Sequence, residues 1–162
     1  MDALQTARAA YRAGRLHDAL EAAQVAAEKR PKDPEAWRLL AAISRHLGLP
    51  AAAEDAFRRA AELSPRTPPA PHRVSRERFG ELVADCQAVL SRDATRRLGG
   101  LEVRIDDLPA APQIEAGLAP EALSQRLHAP AEVLVLYQGN LENRARDEQE
   151  LRKLLARTLQ RA

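Results

Sequence analysis

Four pairs of residues in the first half of the chain recur at one fixed spacing. Gly14 and Gly48, Ala19 and Ala53, Ala26 and Ala60, and Pro31 and Pro65 each lie 34 residues apart. They sit in two related stretches, AGRLHDALEAAQVAAEKRP and LGLPAAAEDAFRRAAELSP. A period of this length fits a helix–turn–helix unit repeated in tandem. Glycine supplies the left-handed backbone that ends a helix, so each Gly marks where a first helix turns into a second. The alanines let the two helices approach closely, and each proline closes the second helix. The second copy adds Trp37, Leu40, Ala41 and Phe57 at its apolar positions. Ala3 stands in the first copy where Trp37 stands in the second.

These residues resemble the tetratricopeptide repeat, in two copies that cover residues 1–66. An unrelated four-helix bundle is the alternative. The resemblance implies a scaffold that binds proteins or peptides, with the first helix of each pair lining a concave face. Arg8, Tyr11 and Arg12 fall there from one helix, and Arg38, Arg45 and His46 from the other. Helical spacing puts each set on one stripe. Arg8, Arg12, Arg38 and Arg45 on one face have the chemistry to hold an acidic peptide or a chain's terminal carboxylate. Glu35 lies nearby and softens the positive field. A solvated charged surface is the plain alternative. Two repeats make a short solenoid whose apolar end needs a cover: the second half of the chain, a further helix or a partner.

The stretch SPRTPPAPHR, Ser64 to Arg73, holds four prolines and cannot continue a helix. It sets a linker at 67–73 between domains at 1–66 and 74–162, with a rigid packed loop as the alternative. Beyond it, SRERFGELVADCQAVL places Phe79, Leu82, Val83, Cys86, Val89 and Leu90 on one apolar helical stripe, with Ser75 as its cap. Cys86 on that stripe reads as a buried structural thiol. LEVRIDDLP alternates as a strand does, with Asp106 and Asp107 at its end as polar turn residues, remnants of a substrate cleft being the alternative. APEALSQRL reads as a short helix. AEVLVLYQ is a second strand, apolar enough to be covered on both faces. NLENRARDEQELRKLLARTLQRA returns to helix, with Leu151, Leu154, Leu155 and Leu159 on one stripe. The expected fold is α+β and mostly helical: all-α helix pairs, then a small domain of helix–strand–strand–helix order.

FGELVADCQAVL, LEVRIDDLP and EVLVLYQGNLENRARDEQELRKLLARTL together resemble bacterial zincin-like, or minimal, metallopeptidases over most of 74–159. The resemblance implies an HExxH helix soon after ARTL, in which two histidines hold zinc and the glutamate activates a water. Here ARTL is followed by Gln160, Arg161 and Ala162, and no HExxH occurs in the sequence. The segment between the strands is also short of a glycine-rich stretch. The chain therefore reads as a degenerate or truncated relative and not an enzyme, with no catalytic residue, metal ligand or cofactor to assign. A zinc-dependent metallopeptidase-related protein, its active-site helix missing or supplied elsewhere, is the alternative. His17, His46, His72 and His128 are scattered without ligand spacing.

Charge narrows the partners. Twenty-five basic against 23 acidic residues leave a net charge of +2, too little to imply nucleic acid. The arginine-rich joint lacks aromatic residues for stacking on bases. A single cysteine excludes an intrachain disulfide and suits a reducing compartment. There is no secretory signal and no apolar run near the roughly 18 residues of a membrane span. The expected location is cytoplasmic. The leucine stripe near the end leaves a homo-oligomeric seam open. The expected function is a non-catalytic scaffold or regulatory protein that docks a protein or acidic peptide through its repeat face.

Overall fold

The computed structural model describes residues 1–65 and 70–162, so the expected linker lies partly outside the described residues. The helices are α1 Ala3–Arg12, α2 Leu16–Lys29, α3 Pro34–His46, α4 Pro50–Leu63, α5 Arg76–Ala88, α6 Arg92–Leu98, α7 Ala111–Glu115, α8 Gln138–Glu142 and α9 Glu148–Arg161. The strands are β1 Glu102–Asp106, β2 Ser124–Leu127 and β3 Val133–Tyr137. The fold is mostly helical α+β. Contacts divide it into two compact units, Met1–Ala70 with Pro109–Pro120, and Pro71–Leu108 with Glu121–Ala162.

In the first unit, α1 packs on α2 and α3 on α4, with α2 also against α3. The two turns are built alike. Gly14 has φ +79° and Gly48 φ +72°. Arg15 N donates to Ala10 O at 2.9 Å, and Leu49 N to Ser44 O at 2.9 Å, the same five-residue reach-back shifted by one repeat. This closes each first helix with a Schellman turn and satisfies carbonyls that the helix end would otherwise leave open. Ala7, Ala19, Ala23, Ala36, Ala41 and Ala53 are fully buried between the helices, and Tyr11, Ile43 and Phe57 supply the bulk. Pro31 and Pro65 follow the ends of α2 and α4. The indole of Trp37 donates to Pro31 O at 2.9 Å, and its ring lies under the Arg59 guanidinium, 4.6 Å from the ring centroid. The short α7 belongs to this unit, and Ile114 on it is 1% exposed.

The second unit holds a three-stranded sheet in the order β1–β3–β2. β1 runs parallel to β3, with Ile105 opposite Leu136, and β2 runs antiparallel to it, with Gln125 opposite Val135. β3 is central, which is why its apolar run is continuous rather than alternating. Phe79, Leu82, Val83 and Cys86 of α5 meet Leu134 and Leu136 of β3 and Leu151, Leu155 and Leu159 of α9 in one core. Leu154 is only partly buried, and the other three leucines occupy this core rather than an external seam.

The structure corrects the sequence reading at several points. APEALSQRL does not form a helix; its second half is β2, and Tyr137 N reaches back to Leu123 O at 2.9 Å. The free edge of β3 needs donors and acceptors, and a helix of two turns is too short to compete. The order is therefore not helix–strand–strand–helix, since α6, α7, β2 and α8 intervene. Val89 leaves the apolar stripe at 79% exposure because α5 ends at Ala88. The closing helix is split, and Asp147 caps α9 by accepting from Glu150 N at 2.8 Å.

A Cβ on Gly14 would stand 2.9 Å from Glu115 Cγ, whereas one on Gly48 meets nothing within 4 Å. Both positions need a left-handed backbone, which costs a non-glycine residue about 1–2 kcal/mol. Gly48→Ala is expected to destabilise the chain by about that amount. Gly14→Ala should cost more, and the excess should vanish when Glu115→Ala is added. Urea unfolding of the double-mutant cycle measures the difference.

Candidate functional site

The six residues expected on the repeat face all lie on α1 and α3, which contact one another. Their roles differ. Arg8 Nη2 pairs with Glu35 Oε1 at 2.8 Å across the two helices, both side chains substantially exposed. The Tyr11 hydroxyl lies 2.7 Å from His46 Nδ1, and the two rings meet edge-on at 5.2 Å and 78°. Tyr11 is 3% exposed, so it joins the helices rather than lining an open groove. Arg45 Nη1 reaches Glu54 Oε1 of α4 at 3.5 Å and is largely covered. Arg12 is exposed at the end of α1, and Arg38 is half-buried on α3. Arg12 is thus the most exposed of these arginines, and Arg8 carries Glu35 beside it.

Glu54 is the partner that sequence reasoning missed. The signal was present in the Gly48 turn, which folds α4 back along α3 and brings residue 54 opposite residue 45.

In the second unit, the parallel pairing of β1 and β3 brings their following segments together. Gly139 N donates to Asp107 O at 2.8 Å. A Cβ on Gly139 would fall 2.6 Å from Asp107 Oδ1, so only glycine fits this approach. Asp106 pairs with Arg104 at 3.1 Å, and both aspartates serve the strand end. The next helix, α8, is buried along its whole length. Glu142 on it is 2% exposed and accepts from Val74 N at 2.9 Å, Gln138 Nε2 at 3.0 Å and Arg73 Nη1 at 3.4 Å. Asn140 Nδ2 donates to Ala122 O at 2.8 Å, and the Tyr137 hydroxyl to Gln125 Oε1 at 3.0 Å. These bonds tie α8 to the sheet and to the start of the unit. Sequence reading gave NLE no structural part of this kind.

Cys86 is buried, and burial pushes its thiol up from the ordinary range, away from reactivity. His17 and His128 are exposed, His46 faces Tyr11, and the His72 backbone N–H donates to Ala145 O at 2.9 Å. Among the described residues no group of three or more His, Cys, Asp or Glu is placed to hold a metal ion.

With this geometry in place, residues 4–70 match the family model of the tetratricopeptide repeat. Repeats of this family generally mediate binding between proteins. No curated protein and no solved structure matches the chain. The two helix pairs with their 34-residue glycine turns are the part of the chain that carries the match.

One ion pair has a readable acid signature. Arg78 of α5 holds Glu148 of α9 through Nη2–Oε1 at 2.5 Å and Nε–Oε2 at 3.3 Å. The hydrogen bonds from Arg78 hold the Glu148 carboxyl below its ordinary range. A lowered acid stabilises the fold above its unfolded value and loses that contribution as pH falls through the folded one. Arg78→Gln should therefore lower stability at neutral pH, and the difference from the parent should shrink as acid protonates Glu148. Chemical unfolding at several pH values tests this, and NMR titration should show the Glu148 midpoint rising in the variant.

Proposed function

We propose that the chain is a non-catalytic docking protein, a scaffold or regulator that holds an acidic segment of a protein partner on the repeat face. The observation that carries this reading is the duplicated helix pair, matched at residues 4–70, with Arg8 and Arg12 on α1 and Arg38 on α3. Carboxylates suit guanidinium groups because two parallel hydrogen bonds form at once. Arg45 takes a supporting part, since Glu54 already holds it. Tyr11 and His46 fix α1 against α3 and so set the spacing of the arginines. Among the described residues no helix is long and apolar enough to cross a membrane.

The second unit is read as a zincin-like domain that lacks the HExxH helix, within the 74–162 region. Its support is the meeting of two segments of the resemblance, the turn after VRID and the QGNLE helix, at the Gly139–Asp107 bond. In that reading the unit contributes a fixed surface and no chemistry.

The test is affinity capture from cells with the full chain, and with Arg8, Arg12, Arg38 and Arg45 changed together to Ala. Circular dichroism of both baits establishes that the helices persist. A partner recovered by the parent and depleted several-fold with the variant is the expected result. Equal recovery places the docking surface elsewhere, and stoichiometric zinc in the purified chain would turn the reading toward a peptidase-related role.

A further inference from the structure

A cavity of about 720 Å³ opens in the second unit where α9 passes the start of β2. This lies within the roughly 300–1,000 Å³ of ordinary ligand sites. Its charge is one-sided. Lys153, Arg157 and Arg161 follow one another at every fourth position of α9, and Arg144 joins them from the turn before that helix. The opposite stripe of α9 is the buried Leu151, Leu155 and Leu159, so the cations are held facing away from the core. Among the described residues none of the four forms an ion pair. The one acid in the lining, Glu150, is engaged by Arg146 through its Nε at 3.1 Å and its backbone N–H at 2.9 Å.

Like charges one helical turn apart repel one another and cost an isolated helix a few tenths of a kcal/mol per pair. Several arginines elsewhere have acidic partners: Arg8 with Glu35, Arg45 with Glu54, Arg78 with Glu148 and Arg152 with Asp85. The cavity wall is left unanswered, and an anionic ligand would relieve it.

We propose that this cavity binds an acidic protein segment in extended conformation, at a site separate from the repeat face. Successive cations on α9 rise about 6 Å apart along the helix. Alternate side chains of an extended peptide lie about 6.6 Å apart on one side, so acidic residues at every second position meet the cations in step. Leu123 and Leu154 also line the cavity and suit the apolar parts of a peptide. The lining contains no aromatic side chain on which a nucleic-acid base would stack. These two features favour polypeptide over a nucleic-acid strand of similar charge.

The experiment uses the full chain and fluorescence anisotropy at low and physiological salt. The probes are a labelled peptide of about eight residues, long enough to extend along the cation row, with glutamate at alternate positions; its glutamine counterpart; and an oligothymidylate of similar length. The variants are Lys153→Gln/Arg157→Gln/Arg161→Gln together, Arg144→Gln alone, and Arg8→Gln/Arg12→Gln/Arg38→Gln as the repeat-face control. The acidic peptide should bind the parent at least about tenfold more tightly than the glutamine peptide, a difference of about 1.4 kcal/mol. It should weaken by a similar factor in the triple α9 variant and about two- to threefold in Arg144→Gln, with added salt eroding the affinity. Arg144 lies outside α9, so its variant decides the matter if the triple variant misfolds. Unchanged affinity in the α9 and Arg144 variants overturns the proposal, as does tighter binding of oligothymidylate than of peptide. Loss confined to the control variant overturns it too, and assigns the peptide to the repeat face.

Discussion

A helix pair built on alanine holds together only when its two helices come close, and the left-handed turns at Gly14 and Gly48 make that approach possible. Each buried alanine contributes little apolar area, so stability depends on many close contacts rather than a few large side chains. The Schellman closure satisfies the carbonyls at the end of α1 and α3 while reversing the chain within two or three residues. The helices that follow then lie against their partners along the alanine rows. The positions of Arg8, Tyr11, Arg38 and His46 relative to one another follow from this packing.

The second unit solves a different problem. β3 is covered and apolar, and it must have hydrogen-bonding partners on both edges. β1 supplies one parallel edge and β2 an antiparallel one. Directly after β3 the chain enters α8 at full burial, carrying a carboxylate with it. Burying Glu142 costs several kcal/mol in desolvation, offset by three donors from Val74, Gln138 and Arg73. Removing the carboxylate's partners would leave a buried charge, so α8 and the segment at 73–74 are fixed to one another.

Local chemistry explains what was legible in the sequence. The 34-residue spacing of glycine, alanine and proline reports backbone needs that few residues meet, so α1 to α4 stand where their turns predict. The apolar stripes of α5 and α9 and the alternation of β1 were legible for the same reason. β2 was not, because Ser124–Leu127 has helix-forming neighbours and becomes a strand only through the edge of β3. The alternation of LEVRIDDLP and the apolar run of AEVLVLYQ placed β1 and β3 but not the three-stranded order. The helices that carry the arginines were legible from their spacing, while Arg45 is held by Glu54 on the next helix and Tyr11 is buried. The cation row of α9 went unremarked beside its leucines, although both stripes follow from one helical period.

The charge arrangement gives the repeat face a testable polarity. Glu35 sits against Arg8 with its carboxylate exposed, and any acidic partner segment must compete with it for the guanidinium. The most direct measurement is the affinity of the captured partner for the parent chain and for Glu35→Gln, by calorimetry at low and physiological salt. If the partner's acidic segment docks on Arg8, removing Glu35 strengthens binding by several-fold, and salt diminishes the gain. If Glu35→Gln leaves affinity unchanged or lowers it, the arginines of α1 and α3 are a solvated surface and the docking account of the repeat face is wrong.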